Sequence, residues 1–111
     1  MIYENGNKPL VSALVNEDDA VLKLLLVFVT KLPAMLNEIR SLYEHSDWES
    51  LSEKIHSLKG TGGNFGFNEL TEVARNIEAE ISKKEYSRID VLLTQLDVLQ
   101  KRIEAGAASY R

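Results

Sequence analysis

Residues 48–66 read Trp48-Glu49-Ser50-Leu51-Ser52-Glu53-Lys54-Ile55-His56-Ser57-Leu58-Lys59-Gly60-Thr61-Gly62-Gly63-Asn64-Phe65-Gly66. Whether they form one helix, or a helix that stops where the glycines begin, decides the fold. At about 100° per residue, Trp48, Leu51, Ile55, Leu58, Gly62 and Phe65 fall on one stripe, and His56 points about 135° away from its centre. The imidazole is therefore expected to face water. Lys59, Gly60 and Gly63 follow at i+3, i+4 and i+7, so the histidine shares its helix face with one cation and two positions that carry no side chain.

Each glycine inside a helix costs about 1 kcal/mol relative to alanine, and three of them lie within residues 60–63. A reading from propensity alone ends the helix at Lys59 and makes the rest a loop. Against it, Gly62 and Phe65 keep the 3-4 spacing of the apolar stripe, and no proline intervenes. The spacing predicts a helix that ends near Gly66, a natural terminator.

Outward from this stretch, the pattern is helical on both sides. Residues 1–7 are polar and expected to be flexible, and Pro9 is placed to open a short helix through about Val15. Asn16, Asp18 and Asp19 offer caps for a long helix. Its apolar positions, Val21, Leu24, Leu25, Phe28, Leu32, Met35, Leu36, Ile39, Leu42 and Tyr43, stay in phase as far as His45. Pro33 predicts a kink near Val29 and Thr30, or two abutting helices, and the unbroken phase favours the kink. Ser46-Asp47-Trp48-Glu49 reads as a capping box for the histidine helix. A further helix is expected from about Asn68, burying Leu70, Val73, Ala74, Ile77 and Ile81. Ser87-Arg88-Ile89-Asp90 is a weaker start for the last one, in which Ile89, Leu92, Leu93, Leu96, Leu99 and Ile103 mark the core and Gly106 the stop; residues 106–111 are expected to fray. Four amphipathic helices with short connections predict an all-α, antiparallel up-down four-helix bundle with a short additional N-terminal helix.

The whole chain, 1–111, is expected to be a single domain, long enough for one core and too short for an added ATP-binding kinase domain. It has no cysteine, which excludes disulfide and thiolate chemistry and suits a reducing cytoplasm. The longest apolar run, Leu24 to Val29, is six residues, far short of a membrane span. Met1-Ile2-Tyr3-Glu4-Asn5 lacks the basic region and apolar core of a signal peptide, so export is not expected. Net charge is −4 with both signs interspersed, which argues against a nucleic-acid partner, since phosphate binding needs clustered Lys and Arg.

His-x-Leu-Lys-Gly, followed by small residues and a glycine ten positions after the histidine, resembles the signature of the histidine phosphotransfer (HPt) domain family of two-component phosphorelays. The motif lies within 56–66, and the flanking helices agree in pattern rather than in specific residues. The resemblance implies a monomeric helical bundle that accepts a phosphoryl group from a phospho-aspartyl receiver domain, of a response regulator or a hybrid histidine kinase, and passes it to another receiver aspartate, with no kinase activity of its own. It makes His56 the phosphoacceptor, Lys59 the cation beside it, and Gly60 the position that clears space; the shared helix face, not the resemblance, adds Gly63 as a second expected partner-binding position. Gly62 and Gly63 depart from the family, which more often has alanine or serine there.

The chemistry of the residues agrees. An imidazole, with an unperturbed pKa of about 6.5, is largely neutral and nucleophilic at cytoplasmic pH. A cation one turn away can offset charge on the transferred oxygens. No metal is expected in this chain, because no carboxylate cluster is evident beside His56; Mg2+ is expected to come with the receiver domain. His45 reads as a polar residue at the end of the long helix, and a zinc site from His45 and His56 lacks two ligands. The glycine cluster is neither a dinucleotide fingerprint, since Phe65 stands at the third required glycine and no strand precedes it, nor a Walker motif. A self-dimerising kinase domain is disfavoured because Ser57 stands where an acidic residue commonly follows the phosphoacceptor. The remaining alternative to a phosphorelay carrier is a structural or scaffolding bundle that binds a partner through its glycine face.

Overall fold

In the computed structural model, residues 8–110 are described; residues 1–7, expected above to be flexible, and Arg111 lie outside them. Four helices carry the architecture: α1 (Asp19–Glu44), α2 (Trp48–Asn64), α3 (Asn68–Ser82) and α4 (Ile89–Ala107), with one-turn 3-10 helices at Tyr86–Arg88 and Ala108–Tyr110. Each packs on its neighbour in sequence and α1 closes the ring on α4. Contacts between α1 and α2 run Phe28 to Phe65, Glu38 to Lys54 and Tyr43 to Trp48, a descending register that makes the pair antiparallel. Lys59 to Glu78 and Gly62 to Leu70 do the same for α2 and α3. No helix among the described residues is long and apolar enough to cross a membrane.

The predicted stripes meet in one core. Leu25, Leu32, Leu51, Ile55, Leu58, Leu70, Ala74, Ile77, Ile89 and Ile103 are fully enclosed, with Phe67 between α2 and α3 beneath Phe28. Burying each large aliphatic or aromatic side chain contributes about 1.5–3 kcal/mol, which is what holds the glycine-containing helix in place despite its poor propensity. Leu24 is the exception: it keeps the phase of α1 but lies 60 % exposed. Helix α1 passes through Pro33 as one element, so the alternative of two abutting helices falls.

The N-terminal side departs from expectation. Residues 9–15 form no helix. Their donors find partners elsewhere in the fold: Leu10 N–H bonds to the Arg102 carbonyl at 2.8 Å, Ala13 N–H to the Gly66 carbonyl at 3.0 Å, and Ser12 N–H to the Tyr110 hydroxyl at 2.8 Å. Such bonds compete directly with the i to i−4 ladder, and the segment becomes a strap across the ends of α2 and α4. Gly66 makes room for it with φ +80°, where any side chain would collide with Ser12 and Ala13. The strap also packs on residues 106–110: Gly106 lies against the Leu10 backbone, and Ala107 and Tyr110 are buried.

Helix boundaries shift by small steps. Asp47, rather than Ser46, caps α2, its carboxylate accepting from Ser50 N–H at 3.3 Å, while Ser46 takes φ 55° to turn the chain. Asp18 caps α1 through Val21 N–H at 3.0 Å. His45 closes α1 with its ring Nδ1 donating to the Ser41 carbonyl at 2.8 Å.

Candidate functional site

The α2 stripe faces the core from Leu51 to Gly62, which turns His56 outward with its side chain 72 % exposed. The ring is not free to spin. Its Nδ1 lies 2.9 Å from Oε2 of Glu78 on α3, and the other carboxylate oxygen, Oε1, accepts from the Lys59 ammonium at 2.7 Å. A carboxylate can only accept, so Nδ1 carries the proton, and in the neutral ring the lone pair lies on Nε2, the nitrogen not engaged by α3. Lys59 and Glu78 are far less exposed than the histidine, at 28 % and 23 %. The hydrogen bond from Lys59, opposed by partial burial and aided by the bond from His56, holds the Glu78 carboxyl below the usual glutamate range.

Lys59 is thus beside His56 as the motif suggests, but through a shared carboxylate rather than directly. Its backbone is fixed too, because the Thr71 hydroxyl donates to the Lys59 carbonyl at 2.8 Å. The structure adds one carboxylate beside His56, that of Glu78, which the sequence did not single out. It lies 22 positions away in sequence, and its nearest signal was its place beside Ile77 at the edge of the α3 stripe. Among the described residues no group of three or more His, Cys, Asp or Glu side chains could hold a metal ion.

The three glycines differ. A methyl at Gly60 would meet nothing within 4 Å, so this position is open surface. Gly63 is also exposed, and a methyl there would come to 3.3 Å from the Thr71 hydroxyl that donates to the Lys59 carbonyl, so this position has less room than Gly60. Gly62 is buried, and its added carbon would stand 2.9 Å from Cβ of Leu70. This glycine lets α2 and α3 approach closely at Leu70, about two turns along α3 from Glu78.

Elsewhere, Arg40 of α1 bonds Asp90 at 3.3 Å and Asp97 at 3.0 Å on α4, and Arg88 bonds Glu80 at 3.1 Å. These pairs tie helices and present no nucleophile. An open groove of about 1080 Å3 runs between α3, α4 and the strap, over Val11, Val73, Val91 and Val98, and includes none of His56, Lys59, Gly60 or Gly63.

Fold and site together define an all-helical bundle displaying a solvent-facing histidine oriented by a carboxylate that it shares with a lysine. The profile of the Hpt domain family matches residues 23–108, and the chain belongs to that family. No curated protein matched the chain. No solved structure matched it. Membership supports a role as a phosphotransfer carrier in phosphorelays, and implies interaction with receiver domains.

Proposed function

We propose that the chain accepts a phosphoryl group on Nε2 of His56 from the phospho-aspartate of a receiver domain and returns it to a second receiver aspartate. The observation that carries this is the ring's geometry: Nδ1 engaged by Glu78 and Nε2 turned to solvent. In the forward step the Nε2 lone pair attacks phosphorus, the N–P bond forms as the aspartyl O–P bond breaks, and the carboxylate leaves with the bonding pair. No proton need move. The product is a phosphoimidazolium whose Nδ1–H remains hydrogen-bonded to the Glu78 carboxylate, which balances the new positive charge on the ring. Lys59 can then divide its hydrogen bonds between Glu78 and the phosphoryl oxygens. Mg2+ comes with the receiver, where charge develops on the aspartyl side.

Docking extends over bare Gly60 toward α1. The contacts Phe28 to Phe65 and Glu38 to Lys54 mark the flank of α1 that faces α2. Leu24, one turn before Phe28, and Val27, one turn before Lys31, sit on the open edge of that flank and are 60 % and 49 % exposed. They supply the apolar contact area that a transient interface needs at its centre. The chain acts as a monomer in the cytoplasm and has no kinase activity of its own.

The test is transfer of label from a phosphorylated receiver domain to the chain, stable in base and labile in acid. His56→Gln should abolish it with unfolding free energy unchanged to within about 0.5 kcal/mol, as for an exposed position. Label retained by His56→Gln would refute the assignment.

A further inference from the structure

On the upstream side of His56 the open face of α2 changes character. Glu49 and Glu53 stand at i−7 and i−3, whereas Gly60 and Gly63 stand at i+4 and i+7. A cleft of about 550 Å3 lies on the acidic side, lined by Trp48, Glu49, Glu53 and His56 from α2 and by Glu78 and Ile81 from α3. Neither Glu49 nor Glu53 has an ion-pair partner among the described residues. The nearby cations are committed elsewhere, Lys54 to Glu38 at 2.7 Å and Lys59 to Glu78 at 2.7 Å. Trp48 is held rigidly, one face stacked on Tyr86 at 3.9 Å and 4° and the ring in edge contact with Tyr43, and what remains of it lines the cleft.

We propose that this cleft takes a basic side chain, arginine or lysine, that the docking receiver domain presents beside its phosphorylatable aspartate. The proposal rests on the phosphorelay reading of His56. Two carboxylates without ion-pair partners next to the acceptor, Glu49 eased only by the start of α2, repel an incoming phosphoryl group and its aspartate, and a partner cation seated between them removes that repulsion. A long aliphatic stem ending in a charge also fits the composition of the cleft: the stem covers Trp48 and Ile81, and the charge reaches Glu49 and Glu53. The asymmetry of the face orients the partner, its backbone coming close over Gly60 and its basic side chain reaching across His56 to the other side.

The experiment uses the full chain and a receiver domain that transfers phosphate to it. Glu49→Gln/Glu53→Gln should weaken association about tenfold and Glu49→Lys/Glu53→Lys more, with the wild-type affinity falling as salt is raised and that of the reversed variant not. Glu53→Lys alone, outside the first turn of α2, supplies a variant with no effect on the helix start, and circular dichroism checks the fold of each. Trp48 is the only tryptophan in the chain, so its emission should change on binding in the wild type. Unchanged affinity in the reversed variant, or unchanged Trp48 emission at saturation, overturns the proposal while labelling of wild-type His56 leaves the phosphorelay reading standing. If the wild-type chain takes no label from the receiver or from phosphoramidate, the phosphorelay reading falls and this proposal with it.

Discussion

Placing an alanine methyl at Gly60, Gly62 and Gly63 in turn should move stability in three different directions, although the three substitutions are identical in sequence terms and all lie in the last half of α2. Helix propensity favours alanine at each by about 1 kcal/mol. At Gly60 nothing opposes that gain, because no atom lies within 4 Å of the new carbon, and Gly60→Ala should stabilise by about 0.5–1 kcal/mol, worth roughly 2–8 °C in a domain of this size. At Gly62 the new carbon would sit 2.9 Å from Cβ of Leu70, an atom fixed to the α3 backbone, so the helices must separate. Overpacking of this kind costs about 1–3 kcal/mol, which exceeds the propensity gain, and Gly62→Ala should destabilise by about 1 kcal/mol. At Gly63 the neighbour is the Thr71 hydroxyl at 3.3 Å, itself held by the Lys59 carbonyl, and the two effects should cancel to within about 0.5 kcal/mol. Urea unfolding followed by circular dichroism and Trp48 emission measures all three. Function should separate from stability at one of them: Gly60→Leu should fold and yet transfer phosphate slowly, because its side chain stands where a receiver approaches. A destabilised Gly60→Ala would refute the open-surface reading, and normal transfer by Gly60→Leu would refute the docking geometry.

Lys59→Ala should slow transfer while leaving receiver binding intact, since charge on the moving phosphoryl group is felt in the transition state more than in the complex; equal rates would make Lys59 only a partner of Glu78. Because the Glu78 carboxyl is held below its ordinary range, its contribution to stability is full above that range and is lost as pH falls through it to the depressed folded value. The urea midpoint should therefore drop on acidification, and Glu78→Gln should flatten that part of the profile; an unchanged slope would show that Glu78 carries no net coupling. Tyr110→Phe removes the acceptor of the buried Ser12 N–H and should cost about 1–3 kcal/mol with earliest loss of hydrogen-exchange protection in the strap; exchange unchanged at Leu10 to Leu14 would refute the strap's dependence on Tyr110.

How much of this was legible beforehand follows from the range of each interaction. The helical phase of Leu51, Ile55, Leu58 and Gly62 is local, and it was enough to carry α2 through the glycines and to turn His56 outward, as the stripe of Leu70, Ala74 and Ile77 was enough to place the start of α3 near Asn68. Burial of a stripe outweighs propensity, so the pattern survives a poor composition. Leu24 shows the limit of that inference, because phase says which residues share a face but not how far along a helix its neighbours extend.

Residues 9–15 mark the same boundary from the other side: Pro9 suited the start of a short helix, and only the carbonyls of Gly66 and Arg102 and the hydroxyl of Tyr110, all distant in sequence, drew the backbone donors away. The sequence by itself determined a bundle of four helices and, in α2, an outward histidine followed by a lysine and a bare face, since these depend on an apolar period that each helix displays locally. Only the tertiary structure decided that Glu78 engages Nδ1 and Lys59 together, and which glycine serves packing and which stays open. Both depend on the rotation and separation of α3 against α2, quantities that a one-dimensional pattern does not contain.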